Sequence, residues 1–198
     1  MDTVAKAPLT MCLASMTFAE GSSNGISTTG TNAYIIDSVF YSRTALTNQA
    51  LPATDLATGN AFIAIPVPGT TTGLGPSIPS APSGGGYACA ITLGFNAAGT
   101  LLAIQGPIVA IDTNGNFISA SPSLSPSLGP PGPNPGTTAV VEASSDFCPC
   151  GAIVVKSGSA AVATFTPGTT VWSTTGYTTS LLNLASLPGR ALSNLTYT

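Results

Sequence analysis

The chain contains no histidine, and its 198 residues include only four Lys or Arg and seven Asp or Glu. Charged residues make up 6% of the sequence, against roughly a quarter in ordinary globular domains. General acid–base catalysis, metal ligation and phosphate capture all draw on these side chains. Their scarcity points away from an enzyme and towards a polypeptide that works as a surface. A serine nucleophile has no imidazole to activate it. Lys6 and Lys156 are the amines left for a Ser–Lys arrangement, and both lie in terminal or turn-flanking sequence. Asp112, Glu142 and Asp146 are the acids of the middle of the chain. Each suits a turn or a solvated loop better than a hydrolytic carboxylate pair.

Other absences narrow the partners. Lys6, Arg43, Lys156 and Arg190 are scattered, and the formal net charge is −3. Phosphate neutralisation needs clustered cations, so no direct nucleic-acid partner is expected. Gly84-Gly85-Gly86 lacks the following Lys-Ser/Thr of a phosphate loop. The apolar stretch Leu9 to Phe18 is interrupted by Thr and Ser and is too short to span a bilayer. The opening Met-Asp-Thr-Val-Ala-Lys is not a cationic segment followed by a long apolar one. No membrane partner is expected, and assembly in the cytoplasm is. Cys12, Cys89, Cys148 and Cys150 match no common zinc spacing. They read as small buried hydrophobes, or as containing one pair that oxidises after release into air, with a four-cysteine zinc site as the lesser alternative. Cys148-Pro149-Cys150 is too close-spaced to close a relaxed disulfide on itself. Asp112-Thr113-Asn114-Gly115-Asn116 lacks the repeated acids and closing Glu of a calcium loop, and a β-turn explains it. Neither a cofactor nor a metal is expected.

What fills the chain instead is 22 Gly, 17 Pro, abundant Ser, Thr and Asn, and a 43% hydrophobic share. Ordinary hydrophobicity with low net charge is not the composition of disorder. The chain is therefore expected to fold, as one domain or one domain plus an arm. No charge falls between Asp55 and Asp112, or between Lys156 and Arg190. Such faces invite self-association in a monomer and are tolerated in a permanent assembly, where they are covered. The alternative is a monomer solubilised by its hydroxyl and amide side chains.

Residues 1–30 read as an N-terminal arm or short helix. Leu9, Cys12, Leu13, Met16 and Phe18 approximate a helical apolar face over 7–19, with Pro8 in the first turn. Met11, Leu13, Met16 and Phe18 of this arm are the candidate capsid or subunit contacts, and the stripe equally fits packing on its own domain. From Asn32 the texture is β. Tyr34-Ile35-Ile36 and Val39-Phe40-Tyr41 flank Asp37-Ser38 as a hairpin. One helical turn is expected over Arg43 to Gln49, and a strand over Ala61 to Ile65. A Pro/Gly/Ser/Thr loop covers 66–86. Strands at Tyr87–Phe95, Thr100–Ile104 and Ile108–Ile111 form a meander, with turns at Asn96–Gly99 and Asp112–Asn116. Phe117 and Ile118 lead the next strand. Residues 121–138 form an extended Pro-rich connector. Strands return at Gly151–Lys156 and Ala161–Phe165, and Thr166-Pro167-Gly168-Thr169 carries type II turn chemistry. Trp172 and Tyr177 suit either core or interface anchors or a sugar-stacking platform. Asn194-Leu195-Thr196 is a lone glycosylation sequon.

Several stretches together resemble tailed-bacteriophage virion proteins that sit outside the head as decoration, cement or head-fibre subunits. They are Ala33-Tyr34-Ile35-Ile36-Asp37-Ser38-Val39-Phe40-Tyr41-Ser42, and Gly94-Phe95-Asn96-Ala97-Ala98-Gly99-Thr100 leading to Gly106. To these add Cys150-Gly151-Ala152-Ile153-Val154-Val155, Thr164-Phe165-Thr166-Pro167-Gly168-Thr169-Thr170, and Ser186-Leu187-Pro188-Gly189. The motifs are short and thread through most of the chain after residue 30. The Pro-rich 121–146 stretch is longer than the brief link such proteins carry there, and reads as an insertion. The resemblance implies a β-rich subunit, a homotrimer, bound to the major capsid protein lattice on the outer surface of the virion head. It transfers no catalytic residue.

The expected fold is thus all-β: an antiparallel β-sandwich or jelly-roll-like domain over 31–198, interrupted by a Pro/Gly-rich loop at 121–146 and preceded by the arm. The expected function is non-enzymatic capsid decoration, with a fibre or adhesin module binding host-surface glycans as the alternative.

Overall fold

The computed structural model of the chain describes residues 10–14, 16–69, 81, 83–116, 118 and 146–183. The expectations placed on 1–9, on most of the 66–86 loop, on 119–145 and on 184–198 lie outside these residues. Eleven strands and no helix occur among the described residues: β1 Met11–Cys12, β2 Ala19–Glu20, β3 Gly25–Ser27, β4 Asn32–Ile36, β5 Val39–Arg43, β6 Gln49–Ala50, β7 Gly86–Phe95, β8 Leu101–Gln105, β9 Val109–Ile111, β10 Cys148–Ser157 and β11 Tyr177–Asn183. They form antiparallel sheets in the orders β1-β4-β5, β2-β3-β6 and β11-β10-β7-β8, with β9 also on β7. The sheets share one hydrophobic core, in the manner of a mainly-β sandwich.

The long strands explain themselves. In β7, Tyr87, Cys89, Ile91, Leu93 and Phe95 alternate towards the shared core, while Ala88, Thr92 and Gly94 face the other way. That second face is also buried, so its residues are small. β10 pairs with β7 in the register Ile91↔Ile153 and Cys89↔Val155, and a bulge falls between Pro149 and Gly151. Gly94 is obligatory opposite that bulge: a Cβ there would collide with the Cys148 carbonyl and the Phe147 ring. The free edge of β8 is covered by a loop. Leu56 N donates to Ala103 O (2.9 Å), Gln105 N to Asp55 Oδ1 (3.2 Å) and Ile63 N to Gln105 Oε1 (2.7 Å).

Two turns form as the sequence predicts. Asp37 and Ser38 have φ of 49° and 68°, both left-handed, as a two-residue I′ hairpin requires. Thr169 N donates to Thr166 O (3.1 Å) with Gly168 at φ 75°, the type II pattern.

Four expectations are corrected. Of the arm or helix expected over 7–19, the helix is absent from the described part, where Thr17 takes φ 44° and stands exposed between the buried Met16 and Phe18. A spacing of four residues satisfies both a helical and a two-residue period, and pairing of Met11 and Cys12 with β4 makes that part a strand, with Met16 and Phe18 following outside any regular element. No helical turn forms over Arg43–Gln49, because β5 runs to Arg43 and β6 begins at Gln49. Ala61–Ile65 and Ala161–Phe165 are not strands, and meet only at the bridge Ile65↔Phe165. The place beside β10 goes to β11, whose seven residues make a continuous ladder. Phe117 is outside the described residues, and Ile118 makes a single backbone bond to Ala110 O (3.0 Å).

Candidate functional site

The candidate site is the outer face of the small sheet β1-β4-β5. Met11 pairs with Ile35 and Ile35 with Phe40, so these three side chains form one row across three strands on the same side. Leu13 N donates to Ala33 O (3.0 Å), extending the ladder by a residue. Phe40 is 62% exposed, Val39 at the hairpin tip 52% and Leu13 36%. Thr10 Oγ1 accepts from Asp37 N (3.2 Å), which ties the start of β1 to the hairpin turn. The strands carry no ionised side chain except Arg43. Arg43 pairs with Asn32 on the opposite face; it donates to the Gly99 carbonyl and lies 5.2 Å over the Phe95 ring. The one cation of the sheet is turned inwards, and the outer face is uncharged and, apart from the Ser42 hydroxyl opposite Ala33, apolar.

The inner face anchors this sheet to the core. Cys12, Tyr34 and Tyr41 lie on it. Tyr34 stacks on Tyr41 (5.8 Å between centroids) and on Phe95 (5.5 Å), and its hydroxyl donates to Asn96 O (2.8 Å). Desolvation raises the Tyr34 phenol above its ordinary value. The Tyr34 contacts thereby anchor the apolar row to the core.

The N-terminal candidates divide. Met11 and Leu13 belong to the outer face. Met16 and Phe18 are core residues: the Phe18 ring stacks 6.4 Å from Phe95, a Cβ at Gly151 would strike that ring, and Phe18 N donates to Asn183 Oδ1 (2.6 Å). Trp172 and Tyr177 are 5% and 8% exposed. They flank Phe165 at 5.7 and 5.3 Å. Trp172 Nε1 donates to Gly25 O (2.8 Å) and the Tyr177 hydroxyl to Ala163 O (2.8 Å). Buried in this cluster, neither ring presents a face for a sugar. Ile35 and Phe40 are outer-face residues beyond the candidates read from the sequence, although the alternation of the hairpin already places them together on one side; Val39, paired with Ile36, is exposed at the tip on the other side.

The acids serve turns. Asp112 Oδ1 accepts from Asn114 N and Asn116 N, both at 2.8 Å. The backbone bond from Asn116 leads the interactions that hold its carboxyl below the ordinary value. Asp146 Oδ1 accepts from Ala97 N (2.5 Å), and Glu142 lies outside the described residues. Asp55 is buried and accepts from Ala57 N (3.2 Å) and Thr58 Oγ1 (3.0 Å) as well as from Gln105 N. Among the described residues no group of three or more His, Cys, Asp or Glu is placed to hold a metal ion. No helix of the described residues is long and apolar enough to cross a membrane.

No family model, no curated protein and no solved structure matches the chain.

Proposed function

We propose that the chain is a non-enzymatic virion structural protein, a decoration or cement subunit that binds the outer lattice of a bacteriophage head and stabilises it. The observation that carries this reading is the uncharged row Met11–Ile35–Phe40 on the outer side of the β1-β4-β5 sheet. Contact centres between proteins are depleted of charge and enriched in aromatic residues and Met. A head lattice repeats its binding site many times, so a subunit that is itself a homotrimer gains avidity from several modest contacts made at once. Bridging neighbouring capsid subunits in this way opposes the outward pressure of the packaged genome. The family resemblance of the hairpin and of the Gly151–Val155 segment supports the same assignment. Assembly takes place in the host cytoplasm, and the working location is the outer surface of the head.

The test is a comparison of phage particles with and without the gene. Particles lacking the protein are expected to release DNA at lower temperature and milder osmotic shock, and purified protein added back is expected to bind the heads and restore resistance. Phe40→Asp protein is expected to remain folded and to fail in the add-back. Equal resistance of the two particle types, together with no binding of the added protein, would sink the proposal. Intact heads that no longer attach to cells would favour an adhesin instead.

A further inference from the structure

Three of the four thiols converge where β1 crosses β10. Cys12, Cys148 and Cys150 are completely buried in the common core and unbridged. Cys148 and Cys150 flank Pro149 at the bulge of β10, with their sulphurs 3.9 Å apart and the Cys150 thiol 3.2 Å from the Cys148 carbonyl. The Cys12 thiol donates to Ala14 O (2.8 Å), and β1 packs against β10, where interaction between Cys12 and Cys150 moves the pKa values of their two thiols in opposite directions. Cys89 stands apart, packed against Gln105 and Gly106. Residues two apart in one strand cannot close a relaxed disulfide on each other. The cross-strand partner is the one whose approach needs little backbone change.

We infer that Cys12 and Cys150 are a latent disulfide, closed by exchange with a low-molecular-weight disulfide such as oxidised glutathione, and that the bond clamps β1 onto β10. In the first step the Cys12 thiolate attacks one sulphur of the small disulfide, forming a mixed disulfide and releasing one small thiolate. In the second the Cys150 sulphur attacks the Cys12 sulphur and expels the other. Both small thiolates take up the protons that the two cysteines lose. The protein's two thiols are oxidised to one cystine, and one small disulfide is reduced to two small thiols. The interaction with Cys150 lowers the Cys12 thiol, whereas desolvation raises Cys150. That makes Cys12 the first nucleophile. Access comes from β1 itself. Its ladder with β4 is short, Met11 and Cys12 plus one bond from Leu13 N, so it opens locally at far smaller cost than the ten-residue β7 or β10. A reducing cytoplasm keeps the pair open, and an oxidising exterior closes it. The consequence falls on the outer face, because β1 carries Met11 beside Cys12. The inference concerns the chain alone and holds whatever that face binds.

The test oxidises the full-length native protein with oxidised glutathione and maps the peptides without reduction. The expected result is a Cys12–Cys150 link with Cys89 still free, and a Tm higher by about 5–10 °C that reverses on adding reductant. Cys12→Ser and Cys150→Ser are expected to lose the link and the Tm rise, and Cys89→Ser to keep both. The peptide map of the unmodified chain decides the matter even where a serine variant folds poorly. A link between Cys148 and Cys150, or four free thiols in native protein after prolonged treatment, would overturn the inference.

Discussion

At the scale of single residues, aromatic side chains divide into two roles that composition cannot tell apart. Trp172 fills the core and donates its indole hydrogen to Gly25 O, so Trp172→Ala creates a cavity and removes one of the two hydrogen bonds that this carbonyl accepts, the other coming from Gly21 N. The expected cost is about 3–5 kcal/mol, read from urea unfolding. Phe40 rests on the outer face, so Phe40→Ser is expected to change stability by about 0.5 kcal/mol or less while weakening whatever contact the face makes. Similar losses of stability in both variants would place Phe40 in the core and contradict the register described above. Burial also sets the alkaline limit. Desolvation pushes the Cys89 thiol from 9.0 to about 12 and the Tyr177 phenol from 10.0 to about 12. Both groups are neutral when protonated, and their folded values lie above the unfolded ones. Their stabilising contribution is therefore complete below pH 9 and lost as the pH climbs from there towards 12. In reductant, Tm is expected to decline through that window, and Tyr177→Phe to flatten its upper part. A Tm that stays level to pH 12 would contradict the burial of both groups.

At the scale of elements, the β4–β5 hairpin is both the most legible unit and the one with most room for improvement. Its turn places Asp37 and Ser38 at positive φ, where Asn and Gly are at less cost. The double substitution D37N/S38G keeps the backbone N–H that bonds Thr10 Oγ1. It is expected to stabilise the protein by about 1 kcal/mol, seen as a small rise in Tm. A fall would mean that the side chains of Asp37 or Ser38 hold the turn by contacts of their own. The hairpin, the strand at 87–95 and the 151–156 part of β10 were legible because each satisfies its local rules: alternation, a turn of the right chemistry, and β-branched or aromatic residues; the start of β10 at Cys148, across a bulge, was not. The N-terminal segment was not, because Cys12 and Met16 fit two periods equally well, and only pairing of Met11 and Cys12 with β4 excludes the helix. Ala161–Phe165 looked like a strand for the same local reasons and lost its place to β11, a competition that acts at a distance in sequence.

At the scale of the whole molecule, the shortage of charge predicts how association behaves. The outer face holds no ionised side chain, and the nearest cation, Arg43, is turned onto Phe95. Binding through that face is expected to vary by less than about threefold between roughly 0.05 and 0.5 M salt, since there are few charges for ions to screen. Titration of purified protein onto heads at several salt concentrations checks this. A steep loss with salt would move the contact to another surface. The reading of Met11, Leu13, Met16 and Phe18 as one contact stripe also resolves at this scale. Docking of Phe18 against Phe95 and Gly151 turns the second pair inwards, while the ladder with β4 turns the first pair out.

Composition alone determined that this chain is poor in the side chains of catalysis, rich in turn formers and apolar enough to fold, and its alternation and turn chemistry determined that the fold is β. These properties are local, set by each residue and its near neighbours. The tertiary structure decided which apolar residues became core and which became surface, which strand took the place beside β10, and which thiols became neighbours. Each of those outcomes depends on packing between segments far apart in the chain, where a single ladder register reverses the face that every side chain presents.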